Sequence, residues 1–376
     1  MEIQIKRIGT QFNGERCYVH ARGLINHNGF GLITMQKLEL SGCDVFYGLE
    51  MMKTTDGGET FSMPMLCKDL TRRYYENGNS EVLSDATPFY HKKSGRILLT
   101  GHTVIYGADN KLLKPPRARS TGYAVYDEEA GDFGAYKKIE MPESRYGEYF
   151  SCGAGCSQII ELPSGELLIP VYYMSYEKAC SSNSCASAVL LRCSFDGETI
   201  KVLEIGNELC VDVPRGFDEP SIVMHGEEYL LALRNDRSGF VAKSHDGLHF
   251  DTPRELCFDN GENIGNYNTQ QHWLTGGGKL WMVYTRRAGH NDHIFRHRAP
   301  LFIAEFDTER MCLIRDTEQI AVPERGARLG NFGCQSYSDE VGYIFVSEWM
   351  QNDPCGWEKC AERGSNNTIF VSKVIF

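Results

Sequence analysis

The sequence predicts an all-β fold, a six-bladed β-propeller with four antiparallel strands per blade, in which residues 1–376 form a single domain. Two features lead to this prediction. A glycine turn followed by a short apolar strand recurs six times, and an acidic turn motif recurs between these copies. The glycine turns are spaced about 50 to 70 residues apart, which is the length that a four-stranded blade and its loops require.

The first repeat is a turn glycine followed by a short run of mostly apolar residues. Its six copies are found at Gly29, Gly95, Gly165, Gly226, Gly278 and Gly342. Another apolar stretch precedes each turn, as Ser157–Leu162 does before Gly165. Two apolar stretches joined by a turn indicate a β-hairpin. Each copy is therefore interpreted as the two innermost strands of one blade.

The second repeat is an acidic turn known as an Asp-box. Residues 54–61 read Thr-Thr-Asp-Gly-Gly-Glu-Thr-Phe, and shorter copies occupy residues 194–200 and 244–250. In such a turn the aspartate accepts hydrogen bonds from backbone N–H groups, and the glycines adopt positive φ. The aspartates Asp56, Asp196 and Asp246 are therefore predicted to be structural residues of the outer strands, with no catalytic role.

Composition and charge limit the classes of function. The formal net charge of −11 at pH 7 argues against a nucleic-acid partner, since such proteins carry a clustered basic surface. Residues 1–6 alternate like a strand and do not resemble a signal peptide, and no apolar run approaches the length of a membrane span. Fourteen cysteines without an export signal are expected to be reduced thiols. The expected location is cytoplasmic, with no membrane partner.

No metal or other cofactor is expected. The cysteines lack the Cys-x-x-Cys spacing that structural zinc sites favour. The histidines His290, His293 and His297 lack a helical pattern that would bring them to one face. The sequence leaves the oligomeric state open, with a homo-oligomer as one alternative.

Polar side chains stand near the starts of the innermost strands, on segments that are otherwise apolar. In a propeller these starts lie at one end of the central channel, so residues distant in sequence converge there. The candidates in chain order are His20, Arg22, Asp85, Gln158, Glu219, Gln271, His272 and Arg328. Polar groups are costly to bury unless they are paired or hydrated. They therefore indicate a ligand site or, alternatively, a water-filled structural channel.

Two segments of the chain resemble the sialidase (neuraminidase) superfamily, and the likeness extends over nearly the whole chain. Residues 217–235 contain Phe-Asp-Glu-Pro-Ser-Ile-Val, and residues 153–170 contain Gly-Ala-Gly-Cys-Ser-Gln. Together with the Asp-boxes, they make the chain similar to a divergent member of this superfamily. The resemblance implies a sialidase-like propeller in which Glu219 activates the nucleophile.

The resemblance also implies arginines that bind the carboxylate of an acidic sugar. Arg22 and Arg298 lie near the positions of the superfamily's first and third arginines, with Arg296 as the alternative to Arg298, and Arg237 is an approximate substitute for the second. Asp44 has nearly the spacing from the first Asp-box that the superfamily's acid/base aspartate keeps. The chain departs from the pattern at Phe332, which occupies the position of the tyrosine nucleophile.

The predicted function is that of an exo-acting, sialidase-like glycoside hydrolase. Hydrolysis of a glycosidic bond commonly uses two carboxyl groups, and Asp44 and Glu219 are the available pair. With Phe332 in place of tyrosine, Glu219 is expected to act directly, as nucleophile or as base for water. Because arginines bind carboxylates bidentately, the expected partner is a small carbohydrate that carries an acidic sugar of the sialic acid or uronate type.

Two alternative functions stay open at this point. The first is eliminative cleavage by a lyase, in which neutral His20 or His272, with a tyrosine, removes the proton α to a uronate carboxylate. The second is a propeller that binds glycans without turning them over. A binding module of this kind would not require Asp44 and Glu219 to converge.

Overall fold

The computed structural model describes residues 1–42, 44–143, 147–181, 184–265, 269–288, 290–351 and 356–376. In this part of the chain the strands form six small sheets arranged in a ring, so the predicted six-bladed β-propeller is confirmed. Each sheet is one blade, and its principal strands pair antiparallel from the channel outwards. No helix in the described segments has the length and apolar character needed to cross a membrane.

The blades follow one another along the chain. Blade 1 comprises Arg16–Ile25, Gly31–Glu39, Phe46–Thr54 and Met65–Leu66. Blade 2 comprises Arg73–Tyr74, Ser80–His91, Arg96–Tyr106, Thr121–Asp127, Asp132–Phe133 and Lys137–Lys138. Blade 3 comprises Ser151–Gly153, Ile160–Glu161, Leu167–Met174, Cys185–Phe195, Ile200–Ile205 and Arg215–Gly216.

Blades 4 to 6 complete the ring. Blade 4 comprises Asp218–His225, Glu228–Arg234, Phe240–Ser244 and Arg254–Glu255. Blade 5 comprises His272–Gly276, Lys279–Tyr284, Leu301–Asp307, Cys312–Leu313 and Gln319–Val322. Blade 6 comprises Gly333–Ser336, Val341–Ser347, Ile369–Ile375 and Glu2–Ile8. Short helices occupy the connections, at Lys68–Leu70, Tyr176–Cys180, Phe295–His297, Arg315–Thr317 and Glu358–Glu362.

Five of the six predicted turn glycines lie in the hairpins between the two inner strands and have positive φ. They are Gly29, Gly95, Gly165, Gly226 and Gly278. Gly342 differs, because it lies inside the strand Val341–Ser347. The turn of blade 6 precedes it, at residues 338–340, where the Ser338 hydroxyl accepts hydrogen bonds from the N–H groups of Glu340 and Val341. A serine side chain thus stabilises the turn that a glycine was expected to make.

The hydrophobic core consists of layers between neighbouring blades. Leu24 of blade 1 packs in one layer with Leu99 of blade 2, and Leu230 of blade 4 packs in another with Trp273 of blade 5. Equivalent layers join the other neighbouring blades, including blade 6 and blade 1. Each blade is therefore held on both faces, which limits how far one inner strand can move relative to the next.

The inner strands contain irregularities that aim particular side chains at the channel. His20, Asp85 and Glu219 each lie in a register shift of an inner strand, and their φ angles are 59°, 52° and 46°. Cys156 and Asn331 precede inner strands and also have positive φ, 57° and 69°. Left-handed backbone at residues other than glycine costs about 1 kcal/mol or more each and is concentrated at functional sites.

Blade 6 closes the ring, because it joins the N-terminal strand to three C-terminal strands. Glu2–Ile8 pairs antiparallel with Ile369–Ile375 along its whole length, from Glu2 opposite Ile375 to Ile8 opposite Ile369. The outermost strand of this blade therefore comes from the opposite end of the chain. Without it, the two ends of the ring would be held together only by contacts between blades 1 and 6.

Removal of residues 1–8 is expected to lower the free energy of unfolding by at least about 3 kcal/mol, because each ladder hydrogen bond contributes a net 0.5 kcal/mol or more. Urea unfolding followed by tryptophan fluorescence measures this change. Gln4→Ala, an exposed substitution on the same strand, is the control and should change stability by less than about 0.5 kcal/mol. Equal stability of the truncated and complete chains would show that the strand does not close the ring.

Candidate active site

The carboxylate of Asp85 is the point at which side chains from several blades meet. Its Oδ1 atom lies 3.2 Å from His20 Nε2 and 3.4 Å from Arg22 Nη2, both from blade 1. It accepts hydrogen bonds from Cys156 Sγ of blade 3 at 3.0 Å and from Asn331 Nδ2 at the start of blade 6 at 3.3 Å. The left-handed residues of four blades therefore converge on one buried anion.

Arg22 and several uncharged groups around Asp85 keep it ionised. Burial by itself would raise the pKa of Asp85, but the interactions with His20, Arg22 and His102 outweigh that effect and hold this pKa well below its ordinary value. Arg22 is fully buried and also donates from Nε to the Phe332 carbonyl at 3.2 Å and from Nη2 to Cys156 Sγ at 2.9 Å. Its Nη1 atom has no hydrogen-bond partner among the described residues.

Two predicted histidines are buried and neutral at physiological pH. Burial lowers the pKa of His20 to about 4 and that of His272 to about 3. The His20 ring packs against Phe46 and Trp349, with ring centroids 4.7 and 5.5 Å away. His272 contacts Ser221 Oγ through Nδ1 at 2.8 Å, and its Nε2 atom has no hydrogen-bond partner in the described part of the chain.

Glu219 forms the second acidic centre, on the inner strand of blade 4. Its Oε1 atom lies 2.5 Å from Arg234 Nη1, so the carboxylate is held in a close ion pair. Its Oε2 atom is buried and has no hydrogen-bond partner within the described segments. One oxygen is thus held by Arg234, while the other faces no hydrogen-bond donor of the described residues.

The arginine beside Glu219 is Arg234, whereas sequence reasoning selected Arg237. The side chain of Arg237 is exposed, and its backbone N–H donates to Asn235 Oδ1 at 2.9 Å. Arg234 is buried at the end of the second strand of blade 4, where it pairs with Asp218 of the first strand. Counting residue pairs along the hairpin from the turn at Gly226 could have identified Arg234 from the sequence.

Two further predicted arginines are buried near Arg234. Arg298 donates from Nη1 to Asn331 Oδ1 at 3.2 Å, and Arg328 donates from Nη2 to Gln351 Oε1 at 3.2 Å. Burial, followed by repulsion from Arg234 and Arg328, lowers the pKa of Arg298 well below its ordinary value. Burial likewise lowers the pKa of Arg328 to about 10. Such a concentration of buried cations favours the binding of an anion.

Asp44 lies at the same end of the channel as these arginines. Its φ angle is 54°, and its carbonyl accepts a hydrogen bond from Tyr106 Oη at 2.8 Å. The negative charge of Asp44 opposes the effect of burial on the pKa of both His20 and Arg328. The structure therefore brings Asp44 together with the predicted histidine and arginine of the site.

The two predicted glutamines point away from this cluster. Gln158 crosses to blade 5, where its Nε2 donates to the Trp273 carbonyl at 3.0 Å and its Oε1 accepts from the Trp273 N–H at 2.8 Å. The amide of Gln271 lies against Gly239, where a Cβ atom would be 3.2 Å from Nε2. Its neighbour Gln270, which sequence reasoning missed, faces the channel and donates to the Phe332 carbonyl at 3.1 Å. Side chains on successive residues of an extended segment alternate, so an error of one residue selects the opposite face.

Blade 6 contributes Asn331 to the cluster, while Phe332 packs in the core between blades 5 and 6. The Phe332 ring is fully buried and lies edge-on to His272, with ring centroids 5.1 Å apart. Neither position carries a tyrosine hydroxyl. The side chain that enters the site from this segment is therefore an amide.

A tyrosine and a further histidine lie on the other side of Asp85. Tyr172 Oη is 3.1 Å from His102 Nδ1, and His102 Nε2 is 3.6 Å from Asp85 Oδ2. The guanidinium of Arg119 lies over the Tyr172 ring, 5.3 Å from its centroid. Gly155 leaves room for the imidazole, since a Cβ atom there would be 1.9 Å from His102 Nδ1. In the sequence, the Gly-Ala-Gly segment was the feature that could have indicated this close approach of His102.

The thiols and carboxylates of the described residues do not form a metal site. Every described cysteine is a free thiol, and no three His, Cys, Asp or Glu side chains in these segments are arranged to hold a metal ion. Burial raises the pKa of the Cys156 thiol well above its ordinary value, so this cysteine is protonated beside Asp85.

Comparison with known proteins shows the fold. No protein-family model and no curated protein matches the sequence. A protein of unknown function from Dyadobacter fermentans is 14% identical, with a TM-score of 0.67 over 99% of both chains. Trypanosoma rangeli sialidase is 12% identical, with a TM-score of 0.64 over 99% of this chain but 60% of its own. The Hadza microbial sialidase Hz136 is 11% identical, with a TM-score of 0.62 over 98% of this chain and 68% of its own. The protein thus has a sialidase-like propeller fold.

The buried neutral histidines predict that the protein loses stability in acid. In the unfolded chain a histidine titrates near pH 6.5, whereas burial lowers the pKa of folded His272 to about 3. The unfolded chain therefore binds more protons below pH 6.5, and the stability present above that pH is lost as the pH falls towards 3.

His272→Gln is expected to make the fall in unfolding free energy between pH 6.5 and 4 shallower by about 1.4 kcal/mol per pH unit. Urea unfolding at a series of pH values measures the slope. His245→Gln, at an exposed position, is the matched control and should leave the slope unchanged. The same slope in His272→Gln and the unsubstituted protein would contradict a neutral, buried His272.

Proposed function

We propose that this protein is a glycoside hydrolase that releases an acidic sugar from a small carbohydrate. The observation that carries the proposal is the arrangement of Glu219, whose carboxylate is held by Arg234 through one oxygen while the other oxygen is buried without a hydrogen-bond partner in the described segments. A buried carboxylate oxygen left in this state is suited to act on a bound water or sugar.

The arginines of the site support an acidic substrate. Arg234 and Arg298 are buried close enough to repel each other, and Arg328 adds a third cation to the same region. A sugar carboxylate would relieve this repulsion and could accept bidentate hydrogen bonds from a guanidinium. The planar Trp349 ring, which lies 4.3 Å from the Arg328 guanidinium, provides an apolar surface beside the same group.

The two carboxyl groups would have different tasks. Asp44, in its acid form, would protonate the oxygen of the departing group, while Glu219 would remove a proton from the attacking water. The left-handed backbone at both residues supports a functional placement, because that conformation is unfavourable for aspartate and glutamate. Sialidases with the same fold raise the expectation of glycosidic chemistry, although a shared fold does not establish activity.

Eliminative cleavage of a uronate is the second candidate. Its support is that burial keeps the imidazoles of His20 and His272 neutral, as a base for proton abstraction requires. Screening the purified protein against chromogenic glycosides and uronate oligosaccharides separates the candidates. Hydrolysis gives new reducing ends without ultraviolet absorbance, whereas elimination gives an unsaturated product that absorbs. Binding of sugars without either signal would leave only a glycan-binding role.

Glu219→Gln is expected to lower kcat about 10²- to 10⁴-fold on the best substrate of the screen, because the amide keeps the shape of the side chain but cannot accept a proton. Initial rates on a chromogenic glycoside measure the loss. Glu228→Gln removes a carboxylate from the far end of the same hairpin, where Glu228 pairs with Lys243, and should retain full activity. A Glu219→Gln protein with normal kcat would overturn the proposal.

Asp44→Asn is expected to slow substrates with poor leaving groups far more than activated aryl glycosides, since an acid matters most when the departing oxygen needs a proton. The ratio of kcat/KM for a 4-nitrophenyl glycoside to that for the corresponding disaccharide should rise at least about 10-fold. An equal loss on both substrates would show that a group other than Asp44 protonates the departing oxygen.

A further inference from the structure

Three buried side chains form a continuous line through the site. Asp85 Oδ2 lies 3.6 Å from His102 Nε2, and His102 Nδ1 lies 3.1 Å from Tyr172 Oη. All three residues are more than nine-tenths buried. The imidazole thus stands between a carboxylate and a phenol, and each of its two nitrogens faces one of them.

The charge of Asp85 decides how His102 carries its proton. Burial lowers the pKa of His102 well below its ordinary value, so the ring is neutral and holds one proton. With Asp85 ionised, that proton is placed on Nε2, where it faces the carboxylate. The lone pair of Nδ1 then faces the phenol and accepts its hydroxyl hydrogen. A hydroxyl, an imidazole base and an ionised carboxylate in this order form the arrangement that activates weak nucleophiles in hydrolases.

The backbone around His102 is shaped to hold the ring in this place. A Cβ atom on Gly155 would lie 1.9 Å from His102 Nδ1, and one on Gly153 would lie 2.6 Å from His102 Cβ. Both positions therefore require glycine while the imidazole keeps its orientation. Packing of the Tyr172 ring against the Arg119 guanidinium, 5.3 Å from the ring centroid, holds the phenol from the opposite side.

Tyr172 is connected to the predicted site residues through His102 and Asp85, because the second oxygen of Asp85 lies 3.2 Å from His20 Nε2. The charge of Glu219 reaches the phenol of Tyr172 and contributes to a pKa that burial has already raised well above its ordinary value. The segment that resembles the tyrosine-bearing part of sialidases offers no hydroxyl, since Asn331 binds Asp85 and Phe332 packs in the core. Blade 3 therefore supplies a phenol at a site where Asn331 and Phe332 of the blade 6 segment supply none.

We propose that Tyr172 is the nucleophile of this site, with His102 as its base and Asp85 as the residue that positions the imidazole. This inference rests on the proposed glycosidase function and adds a covalent step to it. It assigns Tyr172 as a catalytic residue and His102 as the group through which its proton moves.

Two displacements balance the reaction. In the first, Tyr172 Oη bonds to the anomeric carbon, its proton passes to His102 Nδ1, and the bond to the departing oxygen breaks as Asp44 protonates that oxygen. In the second, water attacks the anomeric carbon and gives a proton to Glu219, while the bond to Tyr172 breaks and Oη recovers its proton from His102. The proton on Glu219 returns to Asp44 through solvent.

Tyr172→Phe is expected to lower kcat about 10²-fold or more on the substrate that the unsubstituted protein hydrolyses fastest, because the ring remains but the nucleophilic oxygen is lost. Tyr173→Phe is the matched control, since its buried hydroxyl bonds Glu208 at 2.8 Å on the opposite face of the strand, and it should keep normal kcat. Near-ultraviolet circular dichroism checks that both variants are folded.

Trapping of the covalent intermediate tests the same inference without a substitution at Tyr172. In Glu219→Gln the second displacement lacks its base, so an activated aryl glycoside should release one equivalent of phenol and leave the sugar on the protein. Intact-mass and peptide spectra are expected to place this adduct on Tyr172. His102→Gln should abolish this initial release of phenol. It should also shift the pH profile of the residual rate, an effect that loss of packing alone would not produce.

The outcomes separate this inference from the function on which it rests. Normal kcat in Tyr172→Phe, or an adduct on Glu219, would overturn the role of Tyr172 and leave the glycosidase intact. A protein that hydrolyses no glycoside in the screen would overturn both. A large loss of kcat in Tyr172→Phe, together with an adduct on Tyr172 in the Glu219→Gln protein, would support both.

Discussion

Closure of the six blades into a ring fixes where each inner strand begins. Its inner strands begin at one end of the channel, so side chains from residues 20 to 331 reach a volume only a few ångströms across. Blade 6 maintains this geometry by pairing Glu2–Ile8 with Ile369–Ile375. Apolar layers between all neighbouring blades oppose the backbone strain at His20, Asp85 and Glu219. A looser ring would let these residues relax to ordinary strand geometry.

Electrostatics at the channel end follow from burying many charges together. Asp85 is compensated by Arg22 and by uncharged donors, among them Cys156 and Asn331. Glu219 is compensated by Arg234, which lies 2.5 Å from one of its two oxygens. Because Arg298 and Arg328 add positive charge nearby, the site as a whole is prepared for an anion. The net negative charge of the whole chain therefore does not predict the charge of the ligand.

The likeness to sialidases concerns the scaffold more than the reacting groups. The fold is sialidase-like, whereas blade 6 directs the Asn331 amide to the site and has the core residue Phe332 at the position where a tyrosine was expected. The phenol and imidazole of Tyr172 and His102 lie instead on blades 3 and 2. A propeller can move a reacting group from one blade to another without changing the fold, because every inner strand reaches the same place.

The fold could be predicted from the sequence, because apolar strand pairs recur in every blade, glycine turns join five of these pairs and acidic turns occur in three of the blades. The candidates His20, Arg22, Asp85 and Glu219 were selected because ionisable residues on apolar inner strands stand out without any knowledge of their neighbours, and Arg298 was selected through the resemblance to sialidases. Which member of a pair faces the channel depends on the tertiary structure. Gln270 replaced Gln271 and Arg234 replaced Arg237 because strand register and bulges, which depend on pairing between strands, set the direction of each side chain. The approach of Tyr172 to His102 likewise depends on two glycines in a third segment that leave room for the imidazole.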